Sequence, residues 1–150
     1  MNLKELVFRQ IEYDSPEYHQ AVKLRSKVLR EPLNMRFTET QLRAEKSYLH
    51  IAGFRKGKIV CCLYLIKEAE RARLKQFAVE PELQKKGIGS EMLRFLESYC
   101  RKQGFSSIYM HAREKAVPFY EKFGYECYDQ KFLEIGLPHR KLRKVLAQHE

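Results

Sequence analysis

The chain has 150 residues, enough to bury one hydrophobic core and too few for two domains of ordinary size, so a single domain over residues 1–150 is expected. A hydrophobic share of 44% and a charged share of 32% describe a globular protein, and no apolar run nears the ~20 residues that span a bilayer. Twenty-nine Lys and Arg against 19 Asp and Glu give a net charge of +10, which suits nucleic acid or a ligand bearing several phosphates. Met1-Asn-Leu-Lys-Glu carries no continuous apolar signal region, which predicts a chain that is not exported. Cys61, Cys62, Cys100 and Cys127 are too scattered for a zinc knuckle and lie in apolar stretches. A reducing cytoplasmic setting, no metal and no membrane are therefore expected.

In chain order, Leu6–Tyr13 reads as a strand, and Asp14-Ser-Pro-Glu17 as a helix start with an oxygen-bearing cap and an early proline. Tyr18, Ala21, Val22, Leu24, Arg25, Val28 and Leu29 continue an amphipathic helix until Pro32 blocks it. Thr38-x-x-Gln41 is a capping-box pattern for a second, shorter helix. Tyr48–Arg55 and Lys58–Lys67 pair as a hairpin around Lys56-Gly57, and Arg71–Val79 makes the next strand. Ile88, Met92, Leu93, Leu96 and Cys100 recur at helical spacing up to a stop at Gly104. Ser107–Ala112 is a strand and Lys115–Phe123 a short helix ended by Gly124. Tyr125–Tyr128 and Phe132–Ile135 form a closing pair, and the basic cluster Arg140-Lys141-x-Arg143-Lys144 reads as a solvated tail, with no nucleic-acid module beside it. This order predicts an α+β or α/β architecture.

Between Val79 and the helix stands Gln84-Lys85-Lys86-Gly87-Ile88-Gly89-Ser90. Glycines let a backbone approach a ligand closely, and the first N–H groups of a helix have no intrahelical partners. Those donors, the helix dipole and two lysines make a phosphate site. No lysine precedes Ser90 as a Walker loop requires, and Met92 stands where a dinucleotide fingerprint needs its third glycine. The pattern that fits is Gln/Arg-x-x-Gly-x-Gly. Directly after a strand, it resembles the loop with which the GNAT superfamily of acetyl-CoA-dependent N-acyltransferases holds the coenzyme A pyrophosphate.

Ala116-Val-Pro-Phe-Tyr-Glu-Lys-Phe-Gly-Tyr125 resembles a second GNAT segment, A-x-x-F/L-Y-E-K-x-G-F/Y, in the family's order. Phe119 and Phe123 read as core residues. Tyr120 can donate its phenolic proton when a thiolate leaves, and in GNAT enzymes this tyrosine often is the general acid. The resemblance implies a mixed, mostly antiparallel seven-stranded sheet, flanked by about four helices and splayed between the strand ending at Val79 and Ser107–Ala112. Acyl-coenzyme A would lie in the gap, with Phe77, Ala78 and Val79 at the acyl carbonyl and pantetheine and Gln84–Ser90 at the pyrophosphate. Leu24-Arg25-x-x-Val28-Leu29-Arg30-x-Pro32-Leu33 and Gly136-Leu-Pro-His139 resemble a small bacterial subgroup of largely unassigned substrate.

Two positions depart from the family pattern. Arg113 stands where many members carry a coenzyme-contacting asparagine, and it either meets a phosphate or the pantetheine or faces solvent. Near Arg73 the histone-directed members carry a glutamate base, a role arginine cannot fill. Candidates for accepting the amine proton are Glu80, His111, Glu134 and His139, of which Glu134 with His139 is preferred. His111 also reads as lining the acceptor. Arg25 is either a helix-edge residue whose stem lies along the core or a fork for an acceptor carboxylate. The leading expectation is acetyl transfer from acetyl-CoA to the primary amine of a small molecule or peptide, by direct attack with Tyr120 as acid. A non-catalytic coenzyme A-binding or protein-interaction module is the alternative, and apolar closing strands are compatible with a homodimer.

Overall fold

Seven strands and four α-helices follow one another in the predicted order in a computed structural model that describes residues 2–147. The strands are β1 (Leu6–Ile11), β2 (Leu49–Arg55), β3 (Lys58–Glu68), β4 (Arg71–Val79), β5 (Ser107–Arg113), β6 (Glu126–Glu134) and β7 (Leu137–Val145). They form one sheet in the order β1-β2-β3-β4-β5-β7-β6. β1–β2, β2–β3, β5–β7 and β6–β7 are antiparallel, and β4–β5 is parallel. The helices are α1 (Pro16–Arg25), α2 (Glu39–Arg43), α3 (Ile88–Lys102) and α4 (Val117–Glu121). No helix among the described residues is long and apolar enough to cross a membrane. The chain clusters into two compact units, one from the residues up to Ile66 with Gln76–Leu96, the other from Lys67–Lys75 with Glu97 onward.

In the first unit, Ser15 caps α1 by accepting from the Tyr18 N–H at 3.1 Å. Thr38 and Gln41 close the capping box of α2 in both directions, at 3.1 and 2.8 Å. Tyr18, Ala21 and Leu24 of α1 bury against Ile11, Ala52, Phe54, Ile59, Cys62 and Ala78. The leucine, isoleucines and phenylalanine among them each contribute roughly 1.5–3 kcal/mol on full burial. The helix does not run regularly to Pro32 as its apolar spacing predicts. After Arg25 it widens into a π-helical turn over Ser26–Arg30, then tightens into a 3-10 turn over Glu31–Leu33 closed by Asn34 at φ +54°. Pro32 has no N–H to continue the α ladder, and a left-handed residue ends the run.

Below that turn lies a buried ion pair. Arg25 and Glu45 are only 2% and 3% exposed. The guanidinium donates to both carboxylate oxygens, at 2.7 and 2.6 Å, and stacks on Phe37 and Tyr64. The Tyr18 hydroxyl donates to the same carboxylate at 2.9 Å, and the His50 Nε2–H donates to the Glu45 backbone carbonyl at 2.8 Å. Burial holds the His50 pKa below its ordinary 6.5, with Glu45 opposing the shift. A lowered folded pKa makes the stabilisation complete above 6.5 and drains it as pH falls towards the folded value. Thermal melts over a pH series therefore show a midpoint that declines on acidification below 6.5, and the decline is shallower in His50→Gln.

In the second unit, Tyr125 and Lys144 converge on buried Glu97 of α3, each at 2.9 Å. Gly124, at φ +87°, ends α4 in a Schellman turn, with Tyr125 N–H on the Tyr120 carbonyl and Gly124 N–H on Glu121. Parallel pairing of β4 with β5 runs from Arg71↔Ser107 to Leu74↔Met110. The closing pair differs from expectation. Tyr125–Tyr128 and Phe132–Ile135 are not partners, because most of both stretches lies in the one strand β6, broken by a register shift between Tyr128 and Phe132. The partner is β7, built from the residues read as a turn and a solvated basic tail. Leu142 and Leu146 on one face of that segment are buried, while four cations among them mask a strand pattern.

Candidate active site

β4 changes course before it reaches the loop. Gln76 adopts φ +57° within the strand, and its Oε1 is buried without a hydrogen-bond partner. Phe77 and Val79 are half-buried and Ala78 is buried. A 3-10 turn over Pro81–Leu83 follows, and Gln84 reaches back to donate its side-chain amide to the Val79 carbonyl at 3.1 Å. That bond fixes the loop to the strand end. Lys85 and Gly87 turn the chain at φ +63° and +91°, and buried Ile88 anchors the first turn of α3. The ladder opens with Glu91 N–H on the Gly87 carbonyl at 3.1 Å, so the N–H groups of Ile88, Gly89 and Ser90 head the helix without intrahelical partners. Exposed Lys85 and Lys86 stand beside them. Gly89 is helical rather than left-handed, so its lack of a side chain answers no backbone demand. N–H groups without intrahelical partners, a glycine among them and two nearby lysines have the chemistry that suits a pyrophosphate.

The second unit gathers three of the four proton-acceptor candidates. Glu134, at the end of β6, places Oε1 3.1 Å from His111 Nδ1 of β5 and Oε2 3.6 Å from His139 Nε2 of β7. Hairpin pairing Phe132↔His139 and cross-strand pairing Arg113↔His139 bring the three elements together. His139 is buried, and its Nδ1 lies 2.8 Å from the Leu137 carbonyl. A carbonyl only accepts, so Nδ1 carries a proton, and Nε2 is the nitrogen turned towards Glu134. Burial alone would raise the Glu134 pKa, but His111, His139 and Lys75 outweigh it and hold the carboxyl below its ordinary value. Glu134 is thus anionic throughout the neutral range. The fourth candidate, Glu80, lies in the first unit and pairs with Lys27.

Tyr120 is buried in α4, its ring 5.1 Å from Phe119 and 5.7 Å from Tyr125. Burial pushes its phenol well above the ordinary 10, so the hydroxyl stays protonated at neutral and mildly alkaline pH. Burial likewise raises the Cys61 thiol and pushes Cys62 and Cys100 up to about 12. These three cysteines carry no thiolate to act as a nucleophile.

A family model described as an acetyltransferase (GNAT) domain matches residues 15–146. The chain belongs to the GNAT acetyltransferase family. The uncharacterised Bacillus subtilis protein YyaT is 30% identical over 78 residues, covering 52% of this chain and 53% of YyaT. The chain thus aligns with about half the length of such relatives, as it does with a Streptococcus pyogenes acetyltransferase matched over 44% of its length. A Lactobacillus plantarum structure, provisionally named an N-acetyltransferase, superposes with a TM-score of 0.82 at 19% identity, covering 95% of this chain and 97% of the other. An aminoglycoside 6'-N-acetyltransferase complexed with coenzyme A gives 0.78 at 15% identity, covering 96% and 99%. Both likenesses establish the fold.

Against this GNAT frame, three more of the residues singled out in the sequence have defined surroundings. Arg25, read either as a helix-edge residue or as a fork for an acceptor carboxylate, is buried with its fork on Glu45. His111, read as an acceptor contact, joins the Glu134–His139 pair. Arg113 is half-buried on β5, and burial lowers its pKa from the ordinary value. Sequence reasoning missed Glu45, which sits in a polar run with no apolar periodicity. It also missed Gln76, because nothing local marks a strand residue that turns left-handed.

Proposed function

We propose that this protein is an acetyl-CoA-dependent N-acetyltransferase acting on a primary amine by direct attack. The observation that carries the reading is the head of α3, where unpartnered N–H groups, Gly89 and two lysines form a pyrophosphate cradle tied to β4 by Gln84. An aminoglycoside 6'-N-acetyltransferase of the same fold has been solved with coenzyme A bound, which supports that ligand. Acetyl-CoA supplies an activated thioester carbonyl. Gln84–Ser90 bind the pyrophosphate, Arg113 adds charge to the coenzyme contact, and the backbone from Phe77 to Val79 orients the acyl group and pantetheine through its N–H and carbonyl groups. Glu134 and His139, with His111 beside them, take the proton from the amine as its nitrogen bonds to the acyl carbon. As the carbon–sulfur bond breaks, Tyr120 gives its proton to the sulfur. Burial of Cys61, Cys62 and Cys100 as neutral thiols argues against a relay through those residues and supports direct transfer.

Calorimetric titration with acetyl-CoA tests the cradle, and thiol release with a panel of amines tests the transfer. Gly89→Val is expected to weaken acetyl-CoA binding about 10–100-fold, the loss of one or two charge-assisted backbone contacts. Its melting temperature should move little, because position 89 has ordinary helical geometry. Equal losses of binding and stability would return the glycine to a purely structural role.

A further inference from the structure

We infer that Tyr125 and Glu97 are positioning residues for Tyr120, and that the hydrogen bond between them holds the acid in place for transfer. The inference rests on the reading of Tyr120 as the proton donor, and it adds the residues that keep its ring where that donation needs it. Tyr120 lies in α4, a helix of five residues. So short a helix has no stability of its own, and the tyrosine stands where the ends of α4 are fastened. At the C-terminal end its carbonyl accepts from the Phe123 N–H at 2.9 Å and from the Tyr125 N–H at 3.3 Å. Its ring meets that of Tyr125 edge to face, with centroids 5.7 Å apart and an interplanar angle of 66°. Tyr125 thus holds Tyr120 by backbone and by ring.

Tyr125 is in turn fixed by Glu97 of α3, and all of these groups belong to the second unit. The Tyr125 hydroxyl donates to Glu97 Oε2 at 2.9 Å, and Lys144 Nζ of β7 donates to Oε1 at 2.9 Å. Arg101 Nη2 stands 3.8 Å from Oε1. Lys144 also lies over the Tyr125 ring, its Nζ 5.5 Å from the centroid. Glu97 is 7% and Tyr125 3% exposed. Burial and the Glu97 carboxylate raise the Tyr125 phenol well above its ordinary value, so it stays a donor at neutral and alkaline pH. A buried charge cluster of this kind stabilises a fold little more than apolar side chains of the same size; what it adds is one fixed arrangement. The arrangement fixed here is that of the ring against which Tyr120 packs. An acid must stand within a hydrogen bond of the leaving sulfur, and a misplacement of about 1 Å can cost about 100-fold in rate.

The test is a double-mutant cycle in the full chain, read as kcat by thiol release from acetyl-CoA with an amine of the panel that is turned over. Tyr125→Phe removes one oxygen and leaves Glu97 with Lys144 and Arg101, so no charge is left unpaired. It is expected to lower kcat about tenfold on the native background, with the KM for acetyl-CoA within about twofold. On the Tyr120→Phe background the same change should cost less than about twofold, because the group it positions is gone. Glu97→Gln, whose amide oxygen still accepts from Tyr125, should keep most of the native kcat, whereas Glu97→Leu should match Tyr125→Phe. Equal losses on the two backgrounds, or no loss on the native one, would overturn the inference and leave Tyr120 the acid. A Tyr120→Phe chain with the native kcat would instead remove the acid itself and its positioning together, so the two failures are distinguishable. Independently of turnover, NMR of ring-labelled tyrosine identifies the Tyr120 signals by their loss in Tyr120→Phe. Those signals should shift, with faster ring flips, in Tyr125→Phe and Glu97→Leu, and stay near native in Glu97→Gln. Unmoved Tyr120 signals in the first two would overturn the inference as well, and that arm decides if no amine is turned over.

Discussion

Tyr120→Phe lowers kcat about 100-fold and leaves acetyl-CoA affinity within about twofold, as expected for the loss of a positioned proton donor. The substitution removes one oxygen and keeps the ring that packs on Phe119 and Tyr125. Packing is therefore preserved, and the change falls on the step in which sulfur must gain a proton. Because burial keeps the native phenol protonated well past neutrality, the native rate should not lose its acid on mild alkalinisation. Thiol-release kinetics over a pH series, with calorimetry on the same preparation, measure both quantities. A variant fully active at every pH would remove Tyr120 from the chemistry and leave it a packing residue.

Glu45→Ala carries the largest expected loss of stability. It deprives a 2% exposed guanidinium of both hydrogen-bonded oxygens and the Tyr18 hydroxyl of its acceptor. Arg25 Nε already lacks a partner, so only the faces of Phe37 and Tyr64 would remain to the buried cation. Breaking a buried pair from one side costs about 3–5 kcal/mol. For a chain of this length the melting temperature should fall by about 10 °C. The double change Arg25→Met with Glu45→Leu should recover much of that loss, since it removes both charges and keeps the volume. A fall of about 1 kcal/mol or less in the single variant, by denaturant titration, would show that water reaches the pair.

Local chemistry made much of this fold readable in the sequence. Ser15, Thr38 and Gln41 announce helix starts through short-range bonds that need no tertiary context. The spacing of Ile88, Met92, Leu93, Leu96 and Cys100 writes α3 directly. β7 was hidden because Arg140, Lys141, Arg143 and Lys144 look solvated, although Lys144 reaches a buried carboxylate and Arg143 lies over Tyr128. The loop before α3 was legible for the same reason as the caps, since glycines and lysines act where they stand. Glu134 and His139 were within reach because they flank one turn. Their meeting with His111, 23 residues before Glu134, depends on strand pairing that no local pattern records. Gln76 and the Arg25–Glu45 pair belong to the same category.

The register shift in β6 has a further consequence. Residues 129–131 together face the single step between Lys141 and His139, so two extra residues are accommodated and Phe132 and Glu134 stay on the side of the sheet that Tyr128 occupies. Parity, rather than length, is what the segment must conserve. Losing or gaining one residue there would turn Glu134 away from both histidines, whereas a change of two would keep the three groups together. Drift in the length of this segment is thereby restricted to even steps for as long as the chemistry depends on that trio.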